Sequence, residues 1–94
     1  MPYKLIFKEE ALKEWYKLDK GVQTQFKKKL AERLQNPMIE SARLNGLEDC
    51  YKIKLRNAGF RLVYQVRQAE IIVAVIAIGK RERNAVYKAA IKRV

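Results

Sequence analysis

CYKIKLRNAGFRLVYQVRQAEIIVAVIAI, residues 50–78, holds three strand signals in succession. Residues 50–56 alternate, with Tyr51, Ile53 and Leu55 on one face and Lys52, Lys54 and Arg56 on the other. Asn57, Ala58 and Gly59 supply a turn. Residues 60–66 alternate again, with Phe60, Leu62, Tyr64 and Val66 set against Arg61, Val63 and Gln65. If both apolar faces meet one core, Arg61 joins the face of the two lysines. That register needs an even number of turn residues, or a bulge that Gly59 would supply. Arg67–Glu70 is a second turn, and residues 71–78 are apolar on both faces, as a central strand is.

Upstream, residues 3–7 read as a short strand and residues 8–18 as a helix, with Leu12, Trp15 and Tyr16 on one face. Asp19 is placed to cap a second helix, which carries Val22, Phe26, Leu30 and Leu34 at a strict spacing of four and Lys27, Lys28 and Lys29 in its middle. Asn36-Pro37 ends it. A last helix runs from about Arg83 to the end. The order is β-α-α-β-β-β-α, which implies an α+β fold: a small antiparallel sheet packed on one face by an N-terminal helical hairpin. On this reading the other face of the second and third strands stays open, and it is basic.

The 94 residues carry 21 Lys/Arg against 10 Asp/Glu, for a net charge of +11. The surplus is concentrated in residues 51–94, which hold eleven Lys/Arg and two Asp/Glu. A polyanionic partner fits such a half: nucleic acid, an anionic membrane or an acidic protein, with the membrane the weakest of the three. No amphipathic Lys-rich helix argues for a membrane surface, no apolar run reaches membrane-span length, and the N-terminus turns acidic too soon for a signal peptide. The expected location is the cytoplasm. The chain has no histidine and a single cysteine, Cys50, which rules out a structural zinc site and an internal disulfide. Cys50 reads as a small packed side chain.

Lys52, Lys54, Arg56 and Arg61 share the open face, and the end of the central strand adds Lys80, Arg81 and Arg83 at its rim. Like charges facing each other on a sheet repel, and no carboxylate on this face offsets them, so an anion is their natural partner. A phosphate-binding face follows. RNA carries its own nucleophile, the 2′-OH, and its cleavage needs a base, an acid and cations for the developing charge. A lysine among cations is easier to deprotonate, so Lys52 or Lys54 qualifies as the base. Arginine stabilises an oxyanion better than it gives up a proton. Tyr87 is suited to stacking on a base or orienting the 2′-OH.

CYKIKLR, a glycine turn, FRLVYQV, an apolar strand and GKRERNAVY together resemble the RelE toxins of bacterial toxin–antitoxin pairs. So do ALKEW.KL in the first helix and KKKL.E.L..P.IE in the second. The resemblance implies one RelE-like toxin domain over residues 1–94, with a microbial-RNase-like fold. It implies a ribosome-dependent endoribonuclease that cuts mRNA in the A site through the 2′-OH, leaving a 2′,3′-cyclic phosphate and a 5′-OH, with no cofactor and no metal. In this reading Lys54 is the general base and Lys52 its cationic neighbour. Arg61 stabilises the phosphate, Arg81 serves the leaving group and Tyr87 stacks on the nucleotide. Arg56, Lys80, Arg83, Lys27, Lys28 and Lys29 are left as RNA contacts. The partners so implied are a RelB-like antitoxin, mRNA, the ribosomal RNA of the 30S A site, and operator DNA through the antitoxin complex. One alternative is a non-enzymatic toxin like ParE, which shares the fold and acts on DNA gyrase; another is a plain nucleic-acid-binding domain without toxicity.

Overall fold

A computed structural model describes residues 2–94. The elements come in the expected order: β1 (Lys4–Phe7), α1 (Glu9–Tyr16), α2 (Lys20–Gln35), β2 (Cys50–Leu55), β3 (Phe60–Arg67), β4 (Ile72–Lys80) and α3 (Ala85–Arg93). They build one sheet in the order β1-β4-β3-β2. β3 runs antiparallel to both β2 and β4, as the short turns require, whereas β1 lies parallel along the outer edge of β4. The sheet is therefore mixed. Alternation within a strand carries no information on its direction, so β1 gave no sign of this.

The turn between β2 and β3 has an even number of residues, 56–59, so Lys54 pairs with Arg61 and Leu55 with Phe60. Gly59 takes a left-handed φ of 73° in this turn and makes no bulge. The bulge lies on β4 instead: Val63 faces Ala77 but Tyr64 faces Val75. Ile76 is the extra residue, and Ile76 and Ala77 both turn to the same side of the sheet.

The first core lies between the helical hairpin and one face of the sheet. Phe26 and Leu30 of α2 and Trp15 of α1 meet Tyr51, Ile53, Leu62 and Tyr64 there. The stripe of α2 follows the spacing of four, with Val22, Phe26 and Leu30 buried. In α1 the buried positions are Ala11 and Trp15, while Leu12 and Tyr16 lie outside, 37% and 73% exposed. The smaller Ala11, one turn before Trp15, lets α1 sit close to the sheet; the bulkier Leu12 and Tyr16 drew attention to the wrong stripe. Tyr64 ties the core to the chain after α2, donating its hydroxyl proton to the Pro37 carbonyl at 2.6 Å. Cys50 is fully buried, and burial, with Asp49 adding to it, pushes its thiol up to about 11.

The opposite face is not open along its length. α3 folds back across it, and Val86 and Ala90 pack on Val63, Ala74, Ile76 and Ala77 in a second core. β4 is apolar on both faces because both are covered. Only the end of the sheet beyond α3 remains accessible.

Asp19 caps α2 as its position predicts, its Oδ1 accepting from the Val22 N–H at 2.9 Å. Asp19→Ala is expected to lower stability by about 1 kcal/mol, and Asp19→Asn by only a small part of that. Urea unfolding midpoints of the two variants check it.

Candidate active site

The uncovered end of the sheet is where the cations meet. The alternation of β2 and β3 puts Lys52, Lys54 and Arg61 on the face away from the hairpin, and the register sets Lys54 beside Arg61 and Arg61 beside Gly79. Gly79 offers no side chain to this row. A Cβ there would stand 3.1 Å from Val86 Cγ2, so the glycine lets the start of α3 come down onto the sheet. Arg81 is held by its backbone, whose N–H donates to the Gly59 carbonyl at 2.8 Å. The β2–β3 turn thus fixes a residue some twenty positions downstream.

Lys54, Arg56, Arg61 and Arg81, with Leu55 and Phe60, line one cleft of about 220 Å³. No carboxylate lines it. Four cations around such a space attract a phosphate and repel a metal ion. The Lys54 ammonium is held below the usual lysine range. The charge of Lys52 is the main cause, followed by partial desolvation and then by Arg61 and Arg56. A fraction of Lys54 larger than in an isolated lysine is therefore neutral and able to accept a proton.

Tyr87 does not line the cleft. It sits behind Arg61, half-buried against the second core, with the Arg61 guanidinium carbon 5.2 Å from its ring centroid. Tyr87 Oη and Arg61 Nε are both buried without a hydrogen-bond partner. They are the only such side-chain atoms among the described residues. Lys52, opposite Val63 on β3, is half-buried, and its carbonyl accepts from Arg33 Nη1 at 3.1 Å.

The remaining basic residues separate. Arg56 also borders a groove shared with Lys29, Gln25 and Asn57. Lys27 lines an apolar groove by Phe7, Trp15 and Leu30, and Lys28 is exposed between its neighbours. Successive helix positions point about 100° apart, so three adjacent lysines do not share one surface. Lys80 turns to a different cleft with Glu14 and Glu82, and Arg83 is exposed at a left-handed φ of 44°. Sequence reasoning missed Phe60 as part of the cleft wall and Arg33 as an anchor. Arg33 Nη1 also donates to Tyr64 Oη at 2.9 Å, a contact between distant positions that no local pattern in the helix marks.

The chain is also similar to known proteins. A family model described as the ParE toxin of the parDE type II toxin–antitoxin system matches residues 5–85. The mRNA interferase toxin RelE of Escherichia coli K12 is 56% identical over 94 residues, covering 100% of this chain and 99% of that protein. The structure of a free E. coli RelE toxin carrying two arginine-to-alanine substitutions superposes with a TM-score of 0.93 at 54% identity, covering 100% and 99% of the two chains. The toxin in the intact E. coli RelBE toxin–antitoxin complex gives a TM-score of 0.83 at 57% identity, covering 86% and 99%.

The proximity of Lys52 leads to a measurable effect. Lys52→Ala is expected to move the titration of Lys54 upward, toward that of an ordinary lysine, because the largest cause of its depression is removed. Side-chain NMR of labelled lysine, followed through the alkaline range, reads the shift directly.

Proposed function

We propose that this chain, which belongs to the type II toxin–antitoxin toxins that include ParE and RelE, is an mRNA interferase of the RelE kind. One observation carries the reading. Identity to the E. coli mRNA interferase runs the full length of both chains, and this chain carries a carboxylate-free cleft of four cations, one of them Lys54 with its lowered pKa. Residues 1–94 act as one toxin domain.

In this mechanism the ribose 2′-OH loses its proton to the neutral amine of Lys54 and its oxygen attacks the adjacent phosphorus. The bond from phosphorus to the 5′-oxygen breaks, leaving a 2′,3′-cyclic phosphate on one fragment. Lys52 keeps Lys54 deprotonatable. Arg61 compensates the charge that grows on the phosphoryl oxygens. Arg81, at the mouth of the cleft, stabilises or protonates the departing 5′-oxygen. Tyr87 seats the Arg61 guanidinium against its ring. As residue types, lysine and arginine are weak choices for general base and general acid, so the site depends on a partner that holds the RNA in line. The ribosomal A site supplies that constraint. Arg56, Lys29 and Lys28 extend the basic surface toward ribosomal RNA, and Lys27, Lys80 and Arg83 contribute charge from neighbouring surfaces.

The cognate inhibitor is a RelB-like antitoxin, by analogy with the RelBE complex to which the chain is similar. Operator DNA is engaged through that complex. The site of action is the cytoplasm, where ribosomes and mRNA meet; none of the helices among the described residues is long and apolar enough to cross a membrane. The name of the matching family model favours a second reading, a ParE-like toxin that acts on DNA gyrase. That match ends at residue 85, two residues before Tyr87.

Purified protein added to ribosomes programmed with a defined mRNA is expected to cut within the A-site codon. Lys54→Ala and Arg81→Ala are each expected to slow the cut by about 10²–10⁴-fold while circular dichroism stays that of the folded chain. Primer extension maps the ends. Intact mRNA together with inhibited gyrase supercoiling would transfer the function to the second reading.

A further inference from the structure

The polar contacts that fix the C-terminal end of α3 involve none of the residues that line the cleft. α3 has nine residues, too few to be stable by itself. It is entered through two consecutive left-handed residues, Arg83 and Asn84, with φ of 44° and 58°, and Asn84 gives its first turn no side-chain cap. Near its start the helix is held by Val86 on Gly79 and by Ala90. At its other end Arg93 makes a polar clamp. Arg93 Nη1 donates to Glu14 Oε1 at 2.8 Å and to the Ile76 carbonyl at 2.9 Å, and Nη2 donates to Glu14 Oε2 at 3.1 Å. Glu14 Oε1 also accepts from the Ile78 N–H at 3.0 Å.

These contacts occur where the β ladder runs out. β1 pairs with β4 only as far as Phe7 and Val75. Beyond that point the edge of β4 would leave buried backbone groups unpaired. Glu14 and Arg93 take the place of the missing strand, and in doing so they join α1, β4 and α3. The two side chains are 29% and 18% exposed, so the forked pair is stronger than one in open solvent. Tyr87 lies on the same helix, less than two turns from Arg93.

We infer that Glu14 and Arg93 are positioning residues for the cleavage site: they clip α3 to the edge of β4 and so hold the Tyr87 ring against Arg61. The inference rests on the proposed mRNA cleavage for its effect on rate, but the placement of the ring is testable without it.

The test uses Glu14→Gln, which keeps the shape and loses the charge, with Arg93→Gln and Arg93→Lys, in the full chain. Two readouts are taken. Aromatic NMR of the free protein follows the ring of Tyr87 against those of Tyr51 and Tyr64. Single-turnover cleavage on programmed ribosomes follows the maximal rate and the half-saturating toxin concentration. Glu14→Gln and Arg93→Gln are expected to shift or broaden the Tyr87 ring signals alone and to lower the maximal rate about tenfold with half-saturation unchanged. Arg93→Lys is expected to recover part of the rate. In a Tyr87→Ala background the same substitutions are expected to cost nothing further, because the group they position is gone. An equal loss in that background makes the clip a general stabiliser and overturns the inference. So does an unmoved Tyr87 ring, or a moved ring with full cleavage. If the unaltered chain cuts no mRNA, the functional reading falls by itself, and the ring signals alone judge whether the clip positions Tyr87.

Discussion

β4 must be buried on both faces, and the rest of the molecule is arranged around that constraint. Its run of Val, Ala and Ile has no polar face to turn to solvent, so each side needs a cover. The α1–α2 hairpin covers one side with sixteen residues of α2 and the shorter α1. Only the nine residues of α3 are left for the other. Such a helix spans roughly 14 Å, less than the sheet it crosses. The strip it leaves uncovered is where β2 and β3 turn, and that is where Lys54, Arg61 and Arg81 gather. The bulge at Ile76 serves the same requirement. It places two successive side chains on the α3 side, where a regular strand would offer one, and gives a short helix enough apolar surface to hold.

The cleft is the electrostatic counterpart of this arrangement. A regular antiparallel register sets Lys54 directly beside Arg61, a pairing that sheets otherwise avoid. Nothing acidic lines the cleft to relieve it. Lys54 responds by holding its proton less firmly. The acidic residues are placed elsewhere: Glu14 is committed to Arg93, and Glu40 to Arg43. The fold thus gathers Lys54, Arg56, Arg61 and Arg81 of the C-terminal half at one corner.

The strands, the helical hairpin and the basic row were legible in the sequence because each depends on local rules. Alternation put Lys52, Lys54 and Arg61 on one face, Asp19 marked the start of α2, and Asn36-Pro37 marked its end. What could not be read depends on contacts between distant positions. The parallel docking of β1 joins residues 4–7 to residues 72–75, and no pattern within either segment reveals it. The cover that α3 places over Val63 and Ala74 closed a face that alternation alone left open. The left-handed pair Arg83 and Asn84 delays the helix to Ala85, although nothing in GKRERNAVY marks a break. The same limit applies within the site. Residue type identified the cations, but only the tertiary fold sets Tyr87 behind Arg61, turns Lys80 away, and separates Lys27 from Lys29.

The two buried polar atoms without partners fall on one contact, Arg61 Nε and Tyr87 Oη. Elsewhere the fold satisfies its buried polar groups with care. The Tyr64 hydroxyl both donates and accepts, the edge of β4 is completed by Glu14 and Arg93, and Arg33 reaches the Lys52 carbonyl. A chain that spends side chains on such details leaves a donor and a hydroxyl unmade only where another demand outweighs the cost, which is of the order of 1–3 kcal/mol for each group. The demand here is the contact of the guanidinium with the ring. Arg61 turned to satisfy Nε would leave the Tyr87 ring, and Tyr87 turned to free its hydroxyl would leave the second core. The contact is therefore held in place by packing on one side and by the α3 clip on the other, against the hydrogen bonding of its own atoms. Stability is given up at the one point where the cationic cleft and the second core meet.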